Sequence, residues 1–104
     1  MLKVFITNLG KYNEGYLLGE WVELPVSEED LKAVYERIGI NHYYEETFIT
    51  DYESDIPGVQ IDEWDNIEKL NELAEKLEDL TEDRKLIIQG CLENGDTLEE
   101  ALKR

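Results

Sequence analysis

The chain has 104 residues and a formal net charge of −16, from 26 acidic and 10 basic side chains. This length fits one domain, or two small domains that share an interface, and 41% hydrophobic residues suffice for a folded core. The charge argues against two classes of partner, because an acidic surface repels both nucleic acid phosphates and anionic membranes.

The negative charge is concentrated in the middle of the chain. Residues 20–83 contain 21 acidic and four basic side chains, for a net charge of −17, whereas both ends are close to neutral. Such a block opposes compact folding by self-repulsion, so it favours a function that needs it. Halophilic surfaces tend to be acidic throughout and poor in lysine, but this chain has seven Lys. Plain solubility remains an alternative.

Composition also bears on the compartment. The single cysteine, Cys91, cannot form an internal disulfide or a cysteine-based zinc site, and its apolar neighbours favour a small buried side chain. No segment approaches the ~20 apolar residues that span a bilayer. The first six residues are too short and too polar at their edges for a signal peptide. We therefore expect a cytoplasmic protein.

The first half of the chain predicts three strands and one helix. Residues 2–7 and 16–24 are predicted strands, and the turn-forming residues 8–15 between them are a predicted loop. Ser27 is a predicted N-cap, followed by a helix that ends at Gly39 and has acidic residues in its first turn, where the helix dipole favours negative charge. Residues 48–52 are a third predicted strand, followed by a turn.

From about residue 62 onward the pattern is helical only. Asn66, Thr81 and Thr97 are predicted N-caps, and Glu100 is placed to complete a capping box with Thr97. The first of these helices carries an apolar stripe that consists of Ile67, Leu70, Leu73, Ala74, Leu77 and Leu80. The second is expected to bury Leu86, Ile87 and Cys91. We predict an elongated α+β fold, with a small three-stranded antiparallel sheet and one helix in residues 1–62 and a small all-helical domain in residues 63–104.

Residues for catalysis are scarce. His42 is the only histidine, no serine or cysteine lies in a nucleophile motif, and no phosphate-binding loop is present. We predict a protein that is not an enzyme, with no catalytic residue, no cofactor and no resident metal. One alternative is a calcium-binding module, because Asp51, Glu53 and Asp55 have the spacing of the first ligands of an EF-hand loop, with Asp62 at position 12. Position 6 is an isoleucine where that loop needs glycine, and strand alternation also explains the three acids.

The predicted helix after Asn66 places four acids along one ridge. Glu68, Glu72, Glu75 and Asp79 recur at helical spacing, and four residues rise ~6 Å, a separation comparable with that of phosphates along one DNA strand. An ordinary solvated helix face would show the same pattern. The whole block, however, carries 17 net charges, as many as about 29 Å of duplex DNA at one charge per ~1.7 Å.

Three segments resemble the signatures of the ArdA-type antirestriction proteins. The sequence Asn-Leu-Gly-Lys-Tyr-Asn-Glu-Gly at residues 8–15, with residues 18–21 and 24–25, resembles the first signature. Residues 49–53 resemble the second, and residues 66–71 resemble the start of the family's helix. In the first signature, Gly10, Gly15 and Gly19 are expected to permit positive φ or close backbone approach. Tyr16, Trp21 and Leu24 are expected in the core.

The resemblance implies an inhibitor that mimics DNA. Family members are elongated, curved, acidic proteins whose carboxylates stand in for the phosphates of bent B-DNA. They occupy the DNA groove of type I restriction-modification enzymes, on the methyltransferase core and its specificity subunit, and are typically encoded on mobile elements. The family has three small domains with the dimer contact in the third. This chain resembles the first two, so we expect a possible homodimer without the family's dimer domain.

The expected contact residues are surface carboxylates that act as a set: Asp51, Glu53, Asp55, Asp62, Glu63, Asp65, Glu68, Glu72, Glu75, Asp79, Glu82 and Asp83. An acidic adaptor that binds another basic protein is a further alternative.

Overall fold

The computed structural model describes residues 2–103 and shows the predicted α+β fold. Its strands form one antiparallel sheet in the order β2-β1-β3. The strands are β1 (Leu2–Asn8), β2 (Gly19–Leu24) and β3 (Thr47–Ser54). The helices are α1 (Leu9–Asn13), α2 (Glu28–Arg37), α3 (Ile67–Glu78), α4 (Glu82–Glu93) and α5 (Leu98–Leu102).

The central strand β1 gives the sheet one buried and one open face. Leu2, Val4 and Ile6 are almost completely buried, whereas Lys3 and Phe5 between them are half-buried on the other face. We call the face with Lys3 and Phe5 the outer face. A β-bulge lies in β3, because Phe5 is opposite Asp51 while Ile6 is opposite Ile49.

Residues 8–15 were expected to form a loop, and this expectation is wrong, because residues 9–13 form the short helix α1. Asn8 is its N-cap: the Asn8 side chain accepts a hydrogen bond from the Lys11 N–H at 3.0 Å and donates one to the Ile38 carbonyl at 2.9 Å. A five-residue helix is too short to show apolar periodicity, so the turn-forming residues at its ends predict a loop instead.

The predicted N-caps are confirmed. Ser27, Asn66, Thr81 and Thr97 each accept a hydrogen bond from the backbone N–H three residues later. Thr97 and Glu100 form the predicted capping box. The strand predicted over residues 16–24 begins only at Gly19, since the preceding residues pair elsewhere: the Tyr16 N–H, for example, donates to the Lys11 carbonyl.

Most buried apolar side chains of the sheet and of the helices form one cluster, and Phe48 is buried outside it. The cluster contains the inner face of the sheet, the predicted apolar stripe of α3 as far as Leu77, and the connection between β3 and α3 through Ile56, Val59 and Ile61. Leu80, the last residue of that stripe, packs against the cluster at its edge. The division into domains at residues 62 and 63 stays a prediction.

The predicted core is wrong at four positions. In α4, Leu86 and Ile87 are 66% and 52% exposed, whereas Ile88 is fully buried. Successive helix positions are 100° apart, so α4 presents Ile88 to the core and turns the preceding two residues outward. Tyr16 and Trp21 are 63% and 41% exposed, because Tyr16 lies in a loop and Trp21 is on the outer face. Leu24 is buried and Cys91 half-buried.

The molecule is elongated, with principal extents of 44 × 26 × 18 Å. Its radius of gyration is 14.8 Å, against about 13 Å for a compact domain of this length. Within residues 2–103, none of the helices is long and apolar enough to cross a membrane.

Candidate functional site

All twelve carboxylates expected to contact a partner are exposed. They occupy four places: the outer face of the sheet, the turn before α3, the ridge of α3, and the start of α4 together with the end of β3. The structure therefore does not bring all twelve into one row.

The longest run of carboxylates follows α3. The helix begins at the N-cap Asn66 and turns Ile67, Leu70, Leu73, Ala74 and Leu77 into the core. Glu68, Glu72 and Glu75 consequently point to solvent, and Asp79 continues the ridge as the C-cap residue. At 1.5 Å per residue, the ridge is about 16 Å long.

Lys69, one of the two lysines of α3, forms its ion pair outside this ridge. Lys69 Nζ lies 2.8 Å from a carboxylate oxygen of Glu99 in α5, which holds the lysine to one side of the ridge. The hydrogen bond and the charge of Lys69 lower the pKa of Glu99, with further contributions from the charges of Lys103 and Lys76. The hydrogen bond to Glu99 raises the pKa of Lys69, and the charge of Glu72 on the ridge adds to this increase.

Three more carboxylates lie in the turn that leads into α3. The Trp64 N–H donates to Asp62 Oδ1 at 3.0 Å, and the Asp62 N–H donates to Asp65 Oδ2 at 2.9 Å. The Ile49 N–H donates to the Glu63 carbonyl at 2.9 Å, which ties the turn to β3. These hydrogen bonds fix the turn, whose acidic side chains lie at the N-terminal end of the α3 ridge.

Asp51 and Glu53 lie on the outer face of the sheet, away from α3. The registers place Lys3 between Glu23 and Glu53, and Phe5 between Trp21 and Asp51. Helix α3 packs instead beside the inner face, near Leu2 and Leu24. The structure thus separates these two carboxylates from the ridge.

Two of the remaining three carboxylates lie around Lys85. Its Nζ is 3.6 Å from Asp55 and 3.7 Å from Glu82, while Asp83 is exposed in the first turn of α4. This group is partly neutralised, because one lysine lies between two of its acids.

The sequence assigns the acids at the start of α2 to the helix dipole and not to the contact surface. The Asn71 side chain accepts a hydrogen bond from the Val26 N–H at 2.6 Å and donates one to the Val26 carbonyl at 2.9 Å. These bonds hold the segment just before α2 against α3, and the first turn of α2 carries Glu28, Glu29 and Asp30. Burial raises the pKa of the Tyr35 hydroxyl in α2, and the charge of Glu68 in α3 adds to this increase. No sequence signal links Asn71 to Val26 across 45 residues.

The described part of the chain does not group the side chains that a metal site needs. Among residues 2–103, no three His, Cys, Asp or Glu side chains are grouped closely enough to hold a metal ion. Asp51 Oδ1 accepts a hydrogen bond from the Tyr52 N–H, and Asp55 pairs with Lys85. The calcium alternative therefore lacks its ligand cluster in the described part of the chain.

A comparison with known protein families identifies the family of this chain. The family model described as antirestriction protein (ArdA) matches residues 4–104. The chain belongs to the ArdA antirestriction family. The family is one of inhibitors that act against restriction-modification enzymes in general. No individual curated protein matches the chain.

The structure explains the residues that resemble the first ArdA signature. A Cβ atom on Gly10 would lie 2.5 Å from a ring carbon of Tyr44, and one on Gly19 would lie 2.6 Å from the Ile6 carbonyl oxygen. Gly15 has a φ of 95°, which side chains other than glycine rarely adopt. The expected roles of the three glycines are confirmed, so this part of the signature builds the fold.

Proposed function

We propose that this ArdA-family protein mimics duplex DNA and competes for the DNA-binding groove of type I restriction-modification enzymes. The single observation that carries the proposal is a large uncompensated negative charge on an elongated molecule. The molecule is 44 Å long and has a net charge of −16, which is the charge of about 27 Å of duplex at one phosphate per ~1.7 Å. A basic groove shaped for DNA would meet a negative charge of the same order.

The contact surface is centred on the α3 ridge, the turn at residues 62–65 and the first turn of α2. These carboxylates are exposed, and Lys69 of α3 forms its ion pair with Glu99 of α5. Asp51 and Glu53 lie on the outer face of the sheet, so a partner bound to the α3 side makes fewer contacts with them. The role of each of the twelve carboxylates remains a prediction.

Competition for DNA tests the proposal. The protein is titrated at low salt into a purified type I enzyme bound to fluorescent duplex DNA, and we expect release of the DNA. Direct binding of the protein to the enzyme, measured without DNA, should weaken steeply as salt is added, because the Debye length falls from about 10 Å at 0.1 M to about 3 Å at 1 M. Wild-type protein that leaves the DNA bound at low salt would refute the proposal.

Two block variants locate the surface. The ridge block carries Glu68→Gln, Glu72→Gln and Glu75→Gln, and we expect it to compete about 10-fold or more weakly. The matched control carries Glu23→Gln, Asp51→Asn and Glu53→Gln on the outer face and removes the same charge. An equal loss in both blocks would mean that only total charge matters and would contradict a surface centred on α3.

A further inference from the structure

An exposed tryptophan, Trp64, lies in the acidic turn at residues 62–65 before α3. The indole of Trp64 is 63% exposed, yet its ring stacks on the buried ring of Phe48, with centroids 5.6 Å apart and an interplanar angle of 25°. Phe48 is in turn contacted edge-on by Tyr12, with centroids 5.2 Å apart. One face of the indole is therefore supported by the protein while much of the ring meets solvent.

The support makes the indole rigid. The hydrogen bonds of the turn fix the backbone on both sides of Trp64, and the Ile49 N–H holds the turn to β3. A side chain that is already ordered loses little conformational entropy when a partner covers it. Large aromatic side chains in such positions are enriched among the residues that dominate binding energy.

The acidic residues beside Trp64 favour a positively charged side chain as the group that binds the indole. Asp62, Glu63 and Asp65 flank the indole, and no basic residue occurs in the sequence between Arg37 and Lys69. A cation is attracted to the face of an indole, and Arg combines a planar group that stacks on the ring with N–H donors that reach neighbouring carboxylates. Lys is a more strongly hydrated point charge and gains less from the ring. The chain uses this type of contact internally, where Lys11 Nζ lies 4.7 Å from the ring centroid of Tyr44.

We propose that Trp64 is an aromatic anchor that receives an arginine side chain of the basic protein bound by this surface. This inference rests on the proposed function for the identity of the enzyme, but its chemistry concerns the indole and the guanidinium alone. DNA presents no aromatic face outside its stacked bases, so the contact would add affinity that phosphate mimicry by itself does not supply.

The first test compares tryptophan variants in the competition assay. We expect Trp64→Leu to compete about 10-fold more weakly, and Trp64→Phe to lose less because a phenyl ring still attracts a cation. Trp21→Leu is the matched control: Trp21 is also exposed on the outer face, but it shares its shallow depression with the chain's own Lys3. We expect less than a twofold change for this control.

Salt separates the two kinds of contact. The ratio between wild type and Trp64→Leu should persist as salt is raised, because stacking against a ring is screened less than exposed ion pairs. The ratio for the ridge block should shrink. A Trp64→Leu variant that competes as well as wild type overturns the aromatic anchor and leaves the proposed function intact.

A second test needs no restriction enzyme and remains decisive if the proposed function fails. In a Trp21→Phe variant, the remaining tryptophan fluorescence reports on Trp64 alone, and the protein is titrated with oligo-arginine and oligo-lysine of equal length. We expect a larger fluorescence change and at least threefold tighter binding for oligo-arginine. Equal responses to the two peptides would overturn the inference.

Discussion

Replacing Asn71 with alanine removes the two hydrogen bonds that hold α3 against the segment between β2 and α2. The Asn71 amide forms both bonds with the backbone of Val26, at 2.6 and 2.9 Å. A typical intramolecular hydrogen bond contributes about 0.5–1.5 kcal/mol to stability, so the pair is worth about 1–3 kcal/mol. Val26 is half-buried, and water can partly satisfy its backbone after the change. We therefore expect a loss of about 2 kcal/mol.

Thermal and urea unfolding followed by circular dichroism measure this loss. For a domain of about 100 residues, 1 kcal/mol shifts Tm by about 4–8 °C, so Asn71→Ala should melt about 8–16 °C lower. Asn13→Ala is the control, since Asn13 is exposed at the end of α1. If the two variants unfold within about 0.5 kcal/mol of each other, the contact between α3 and Val26 does not hold the helix in place.

A second substitution at the same position tests the geometry further. Asn71→Asp keeps an acceptor for the Val26 N–H but loses the donor to the Val26 carbonyl, and it adds a negative charge to the acidic ridge beside Glu72. We expect a larger loss of stability than for alanine at neutral pH. Acid should reduce the difference, because a protonated carboxyl group can donate again. A variant as stable as wild type at neutral pH would contradict this reasoning.

Three further predictions concern the fold. Asn8→Ala should lower the free energy of unfolding by about 2–4 kcal/mol, because this fully buried side chain caps α1 and binds a carbonyl at the end of α2; a loss under about 1 kcal/mol in urea unfolding would contradict it. Ile88→Ala should cost about 2–4 kcal/mol, but Leu86→Gln less than about 0.5 kcal/mol, in the same assay; equal losses would mean that α4 is turned differently. The Arg37 hydrogen bond lowers the pKa of Glu20 from its ordinary value of 4.5, so its stabilisation is present above that value and is lost as pH falls through the folded-state pKa. Wild type should therefore exceed Glu20→Gln in urea midpoint near pH 7 and converge with it in acid, and a constant difference would refute the pairing.

The sequence predicted best what depends on neighbouring residues. An N-cap needs only a side-chain oxygen and the N–H three residues later, so Ser27, Asn66, Thr81 and Thr97 were identifiable from the chain alone. The stripe of α3 and the alternation of β1 follow from fixed periods of 3.6 and two residues. Exposure of the carboxylates followed from the cost of burying charge. The short helix α1 was not predicted, because a single helical turn is too short to show apolar periodicity.

Only the tertiary structure shows which apolar residues point into the core and which charged residues lie together. Ile88, and neither Leu86 nor Ile87, meets the core, because the rotation of a helix depends on where its neighbours pack. Asn71 reaches Val26 across 45 residues and ties α3 to the segment that leads into the acidic first turn of α2.

Charge and identity were thus largely determined by the sequence. The net charge of −16 and the family resemblance are properties of composition and order, and the family match over residues 4–104 confirms the resemblance. Only the folded chain could divide the twelve carboxylates between two sides of an elongated molecule and support Trp64 on Phe48. Such contacts arise from packing between distant segments, and the local preferences that fix caps and strands contain no information about them.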